Sequence, residues 1–352
     1  MPSQEIVEIV VGGQHYRGWK SMSVSMNAKS PERTFQIVGA LANPPIAAAA
    51  LAINPNDPCI VTANGSPLVI GRVHDVEITL SPDNHEIRIT GKSRGADAVK
   101  SSVDHKTHEW KNKTILQIAQ DVDSSGIGYT TDENLTPVPK WRANVGATQM
   151  KMLGHLADKQ RLFLCGSANG GIIITKHGKH RHGGGIIEGV NFKSGQAKFS
   201  SEDRAGEVIV KGHRHKGTGT QNTRYEHRET DPGGRPGTKK VIVPKVDMTK
   251  QEAKETAQHA VDNRFGDSVQ LSCELQGFRD IGGMVWQPGW LVWCEVPSCR
   301  LSMELAISTI SLHQDELSQG SIAKLTLVHP AALGGKGGKG GGKSGGGWKA
   351  PK

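Results

Sequence analysis

The sequence predicts a mainly β protein of the α+β class, with two similar antiparallel β-barrel domains and an adjacent, inserted α+β module. Three observations predict it. Apolar residues alternate through the first ninety positions, fall at helical spacing between about 95 and 190, and alternate again from about 191. A chain of 352 residues exceeds what one small core organises, so two or three domains are expected.

The first domain is placed at 1–95. Glu5 to Val11 alternates like a half-buried strand, and Trp19, Val24 and Met26 follow among small polar residues. Its clearest unit runs Cys59-Ile60-Val61-Thr62-Ala63, Asn64-Gly65, then Leu68-Val69-Ile70, because Asn-Gly accepts the positive φ angles of a tight hairpin turn. The second strand continues through Val73, Val76, Ile78 and Leu80. Ser81-Pro82-Asp83-Asn84 turns the chain, and Ile87 and Ile89 alternate with Glu86, Arg88 and Thr90. Strands and turns at this spacing predict a small barrel or sandwich.

The α+β module is placed at 96–190. Thr114 with Gln117 forms a capping box, and Ile115, Ile118, Ala119 and Val122 then share one helix face. Thr148 opens a second helix with Leu153, Leu156 and Ala157 inward. Leu162 to Cys165 and Ile172 to Thr175 flank a Gly-rich turn as a hairpin.

The second barrel is placed at 191–332 with one helix. Val208 and Val210 alternate, the polar segment from His213 to Lys240 reads as a mobile loop, and Val241 to Val246 reads as a short strand. Thr249 with Glu252 caps a helix carrying Ala253, Ala257, Ala260 and Val261 on one side. Strands follow at Val269 to Phe278, Leu291 to Trp293, Leu301 to Leu312 and Ile322 to Val328. Residues 333–352 are Gly/Lys low-complexity sequence, expected to be disordered.

Composition narrows the function. Hydrophobic residues are 36% and charged residues 22%, a globular balance. No apolar run reaches the ~20 residues a membrane span needs, and the alanine-rich stretch around Ile46 to Ile53 is short and bounded by prolines. The opening Met1-Pro2-Ser3-Gln4-Glu5 lacks a secretion pattern, so synthesis and assembly in a cytoplasm are expected. Five scattered cysteines without a CxxC read as reduced structural thiols. The net charge of +9 is uneven: Lys336, Lys339, Lys343, Lys349 and Lys352 lie in the tail, leaving 38 basic against 34 acidic residues before it.

Candidate sites are sparse. Gly337 to Ser344 fits the GxxxxGKS phosphate-loop spacing, but no strand delivers it and no helix follows, so it reads as a chance match. His177, His180 and His182 form HxxHxH, a spacing at which imidazoles can converge on a transition metal. Adjacent cations oppose this, and a solvated loop is the default reading. His213 and His215 flank Arg214 and read as an exposed connection. No Ser sits in a GxSxG turn and no paired carboxylates stand out, so no enzyme activity and no cofactor are expected.

Three stretches resemble one family, the Mu-type phage baseplate hub proteins (the late control gene D family). Val10-Val11-Gly12-Gly13-Gln14-His15-Tyr16-Arg17-Gly18-Trp19, followed by Ser21-Met22-Ser23-Val24, is similar to the family's opening strand and Gly-Trp turn. His108-Glu109-Trp110-Lys111-Asn112-Lys113-Thr114 resembles its entry to the first helix. Gly277-Phe278, Gly282-Gly283 and Val285-Trp286-Gln287-Pro288-Gly289 resemble its late Trp-x-Pro turn. The segment at 213–240 and the Gly/Lys tail depart from the pattern.

The resemblance implies a homotrimer in which two similar barrels per chain make a pseudo-sixfold ring, joining a sixfold tail tube to a threefold spike and letting DNA pass. It implies as partners the tube, spike and tape measure proteins and other baseplate proteins, with the virion tail as location. Gly18, Trp19, Trp110, Lys111, Asn112, Thr114, Trp286, Pro288 and Gly289 then carry structural roles. Lys336, Lys339, Lys343 and Trp348 are candidate contacts to partners or DNA. The rivals are a nucleic-acid-binding protein using the basic tail, a tail-associated cell-wall hydrolase, and a type VI secretion needle, whose amino-terminal part has a similar fold.

Overall fold

A computed structural model describes residues 5–40, 52–81, 85–213, 224–244, 248–315 and 320–334. The first unit holds β1 (Val7–Val11), β2 (Gln14–Tyr16), β3 (Ser21–Asn27), β4 (Thr34–Ala40), β5 (Pro58–Ala63), β6 (Ser66–Leu80) and β7 (His85–Ser93). The predicted hairpin joins β5 to β6, with Asn64 and Gly65 at φ 47° and 76°. Strand β4 was not read from the sequence. The readings at 82–84 and across most of the alanine-rich stretch (41–51) lie outside the described residues.

The α+β module contains α1 (Gly95–Lys100), β8 (Glu109–Lys113), α2 (Ile115–Asp121), β9 (Tyr129–Thr131), β10 (Val138–Arg142), α3 (Gln149–Gln160), β11 (Phe163–Gly166) and β12 (Ile172–Thr175). The capping box forms as read: the Thr114 hydroxyl accepts from the Gln117 amide, and the Gln117 side chain accepts from the Thr114 amide. Ile115, Ile118 and Leu153 are fully buried in a core separate from that of the large sheet.

The second unit begins earlier than 191. Strand β13 (Arg181–Ile187), which the sequence placed in the module, pairs parallel with β19 (Leu291–Val296). Then come β14 (Phe192–Phe199), β15 (Ala205–His213), β16 (Arg224–Thr230), β17 (Arg235–Ile242), α4 (Lys250–Asp267), β18 (Val269–Gln276), β20 (Leu301–Asp315) and β21 (Gly320–Val328). The expected mobile loop from His213 to Lys240 is instead largely strand. β16 and β17 flank β15, while 214–223 lie outside the described residues. Arg228 facing Glu207 and Glu226 shows why the polar composition misled: charged cross-strand pairs hold this small sheet. The strand read at Val241 to Val246 begins at Arg235 and ends at Ile242. Helix α4 lays Ala253 and Ala257 against Val210 of β15.

The mainly β, α+β class holds, but two separate closed barrels are not found among the described residues. Thirteen strands form one sheet in the order β14-β18-β21-β20-β3-β4-β7-β6-β5-β1-β2, with β19 on β20 and β13 on β19. One apolar core runs through both units, from Ile9, Ile37 and Leu68 to Trp286, Leu305 and Leu325.

The two units repeat the same strand plan. The pairs Thr34↔Lys92 to Ala40↔Glu86 of β4 and β7 have counterparts Gln270↔Val328 to Gln276↔Ile322 in β18 and β21. Strands β6 and β20 are each 15 residues long, and each bears a bulge: His74 between Val73↔Gly91 and Asp75↔Thr90, Ser308 between Ile307↔Leu327 and Thr309↔Thr326. Hairpin β5–β6 matches β19–β20, placing Cys59 and Val61 at the sites of buried Val292 and Cys294. Pair β3–β4 matches β14–β18. The bulge lets each long strand serve one partner with its first arm and another with its second.

Candidate functional site

The two units and the module meet around Arg33, a buried guanidinium whose partners lie far away in sequence. Its Nε donates to the Gly166 carbonyl of the module (2.9 Å), Nη1 to the Leu68 carbonyl of the first unit (3.1 Å), and Nη2 to the Gln287 side-chain oxygen of the second (3.0 Å). Burial pulls its pKa down to about 10, so it stays charged near neutrality. A second clasp ties the units directly: Arg279 pairs with buried Glu5 (2.7 Å) and donates to the Ala63 carbonyl (2.8 Å). The sequence gave no sign of either, because no local pattern marks contacts between distant segments.

The three histidines of the HxxHxH segment point to separate partners. His177 is buried, and its Nε2 donates to the Ala28 carbonyl at 2.7 Å. His180 is exposed beside Asp132 and the Trp290 ring. His182 is buried between Trp286 and Trp290, its Nδ1 donating to Asp280 (2.9 Å) and its Nε2 accepting from the Gln287 amide (3.1 Å). The backbone amide can only donate, which fixes this tautomer. Among the described residues no three His, Cys, Asp or Glu side chains gather as a metal site.

Burial lowers the pKa of His177 and, against the pull of Asp280, that of His182. The folded chain therefore keeps both neutral, while the unfolded chain protonates near 6.5. A depressed histidine pKa means the unfolded state binds more protons on acidification. Stability should be level above about pH 6.5 and fall below it, by up to about 1.4 kcal/mol per pH unit for each histidine. Denaturant midpoints taken from about pH 8 down to about pH 5.5 check this, and stability that rises on acidification would contradict it.

Several motif positions have local physical reasons. Gly18 and Gly289 take φ of 78° and 82°, and Asn112 takes 51°, a left-handed value asparagine tolerates. The Trp19 ring covers Gly39, Trp110 and Trp286 are buried, and Pro288 is buried beside Gly289. Thr114 is the helix cap already described. Lys111 is exposed near Glu109. Lys336, Lys339, Lys343 and Trp348 lie outside the described residues, as do Gly337 to Ser344 and His215. The cysteines are free thiols, four of them buried, and burial pushes Cys59 up to about 12 and Cys165 up to about 11, which makes them poor nucleophiles.

No helix among the described residues is long and apolar enough to cross a membrane. The sheet presents two open edges: the outer side of β14, and the second arm of β6 on the side away from β7. Such edges carry unpaired backbone donors and acceptors and invite another strand.

Comparison with known proteins agrees with this architecture. A family model described as Mu phage baseplate assembly protein GpP-like, N-terminal, matches residues 6–93, the span of β1 to β7. Baseplate hub protein gp44 of Escherichia phage Mu is 22% identical over 330 residues, covering 87% of this chain and 83% of that one. The 43 kDa tail protein of prophage MuSo2 from Shewanella oneidensis superposes with a TM-score of 0.81 at 23% identity, covering 94% of this chain and 99% of that one. A tail protein from Neisseria meningitidis MC58 gives 0.78 at 16% identity with the same coverage. The resemblance to the Mu-like baseplate hub proteins read from three short motifs is thus borne out along nearly the whole chain.

Proposed function

We propose that this chain, a Mu-like baseplate hub protein in sequence and fold, is the hub of a phage tail: a homotrimer whose six β units form a pseudo-sixfold ring. Its relatives are named as baseplate hub and tail proteins, which supports a structural part in a virion tail and not an enzyme. The observation that carries the finer reading is the strand-for-strand repeat of the two units, down to the bulge in each long strand. A sixfold tube and a threefold spike cannot both match one identical surface. Three chains that each present two near-copies of one unit satisfy both symmetries.

In this role the ring joins the tail tube to the spike, touches the tape measure and other baseplate proteins, and leaves a central passage for DNA. Assembly takes place in the bacterial host cytoplasm. The purified protein is expected to show a solution mass near three chains, and a map of the tail tip should place the ring between tube and spike. A single-chain mass at every concentration would refute it. Truncation after Leu333 tests the rival reading. If the truncated body still bound duplex DNA tightly at physiological salt, a nucleic-acid role would displace the hub role.

A further inference from the structure

The chain contains one junction between its units, and the internal repeat gives the image of that junction at its two open edges. In the existing junction β3 of the first unit pairs antiparallel with the second arm of β20, from Thr309↔Asn27 through Ile310↔Met26 and Leu312↔Val24 to Asp315↔Ser21. The counterpart of β3 is β14, because Ser21↔Val38 and Ser25↔Thr34 correspond to Ser194↔Glu274 and Lys198↔Gln270. The counterpart of the β20 arm is the arm of β6 beyond His74. Among the described residues, neither β14 on its outer side nor this β6 arm on the side away from β7 has a strand partner.

We propose that β14 of one chain pairs antiparallel with the second arm of β6 in a neighbouring copy, in the register of the internal junction. Transposed residue by residue, that register sets Asp75 opposite Ser200, Val76 opposite Phe199, Glu77 opposite Lys198, Ile78 opposite Ala197, Thr79 opposite Gln196 and Leu80 opposite Gly195.

The chemistry of the edges agrees with a register that was derived from backbone pairing alone. Val76, Ile78 and Leu80 meet Phe199, Ala197 and Gly195 on one face, where the internal junction has Ile310, Leu312 and Gln314 against Met26, Val24 and Met22. In the internal junction Ile310, Leu312, Met26, Val24 and Met22 are buried. At the open edges Ile78 is 46% exposed, Leu80 69% and Phe199 46%. On the other face Glu77 meets Lys198, an opposite-charge pair of the kind that stabilises directly opposed strand positions. Glu77 also meets Arg88 at 3.3 Å, but both side chains are exposed and the carboxylate remains within reach. A shift of one residue would turn the apolar set to the other face, so the register is strongly specified. The contact is head-to-tail, and repeated from copy to copy it closes a ring or runs on as a filament.

This inference rests on the trimeric ring and names the contact that closes it. The test mixes full-length chain carrying Glu77→Cys with full-length chain carrying Lys198→Cys and oxidises them. A disulfide-linked dimer is expected in the mixture and in neither variant alone, and Glu77→Cys mixed with Gln196→Cys should link several-fold less. Separately, Glu77→Lys and Lys198→Glu should each weaken association roughly tenfold, and the double reversal should restore it. A three-chain mass without the 77–198 link would overturn the edge pairing while leaving the trimer intact. A chain that remains single under all conditions would remove both. A disulfide within one chain carrying both cysteines would also overturn the proposal, since the sheet would then close on itself.

Discussion

Replacing Arg33 by methionine is expected to destabilise the protein by about 3 kcal/mol or more, out of proportion to the single side chain lost. Methionine approximates the length and supplies no donor. The Gly166 and Leu68 carbonyls and the Gln287 side chain would lose their partner at a site where water is excluded. Each unsatisfied group costs about 1–3 kcal/mol. Exchanging a buried ionic cluster for hydrophobic residues can be neutral when every partner is exchanged, but two of these partners are backbone and remain. Arg33→Lys should recover only part of the loss, because one ammonium cannot reach three diverging acceptors as a planar guanidinium does. Thermal unfolding reads the effect, with exposed Lys111→Met as a control expected within about 0.5 kcal/mol of the parent. Since Arg33 joins three parts, limited proteolysis should release the α+β module faster from the methionine variant. An unfolding midpoint equal to that of the parent would remove Arg33 from its central place.

Gly289→Ala should be comparably damaging for a different reason. Gly289 has φ 82°, and a Cβ there would lie 2.0 Å from Nδ1 of His177. The imidazole cannot swing aside without abandoning the Ala28 carbonyl. The backbone cannot easily shift either, since the Gly289 amide donates to Ile307 (2.7 Å) and its carbonyl accepts from Gly178 (3.0 Å). Backbone strain costs about 1–3 kcal/mol and overpacking a similar amount, for a total on the order of 3 kcal/mol. The pair His177→Ala with Gly289→Ala separates the two contributions: it relieves the collision and leaves the strain, so the double variant should regain part of the stability that Gly289→Ala loses. Denaturant midpoints of the four proteins make the comparison.

What the sequence revealed was local. The Asn64-Gly65 turn, the Thr114 and Thr249 capping boxes and the alternation at Ile87 and Ile89 each encode their structure within a few residues, and each appears where it was read. Charge obscured β16 and β17: their alternating Arg and Glu side chains look like solvated loop until the strands are set side by side. Nonlocal pairing left no mark. Nothing in Ser21 to Asn27 announces that its partner lies at Thr309 to Asp315, and nothing around Arg33 points to Gln287. The HxxHxH segment misdirects in the opposite way, since its spacing suggests convergence while the fold sends each ring to a different neighbour. The repeat of the two units was anticipated only as a requirement of symmetry. Its evidence is in registers and bulges, which persist where side-chain identity has not.

The pairing of β3 with β20 also governs how the chain must be made. As the protein leaves the ribosome, the first unit can complete its pairing from β1 to β7 early, yet the free side of β3 waits until nearly the entire polypeptide has emerged. During that interval the nascent chain exposes a flat, methionine-lined strand to every other chain on the same message. Slow translation late in the message would prolong the hazard, and a chaperone that shields extended segments would shorten it.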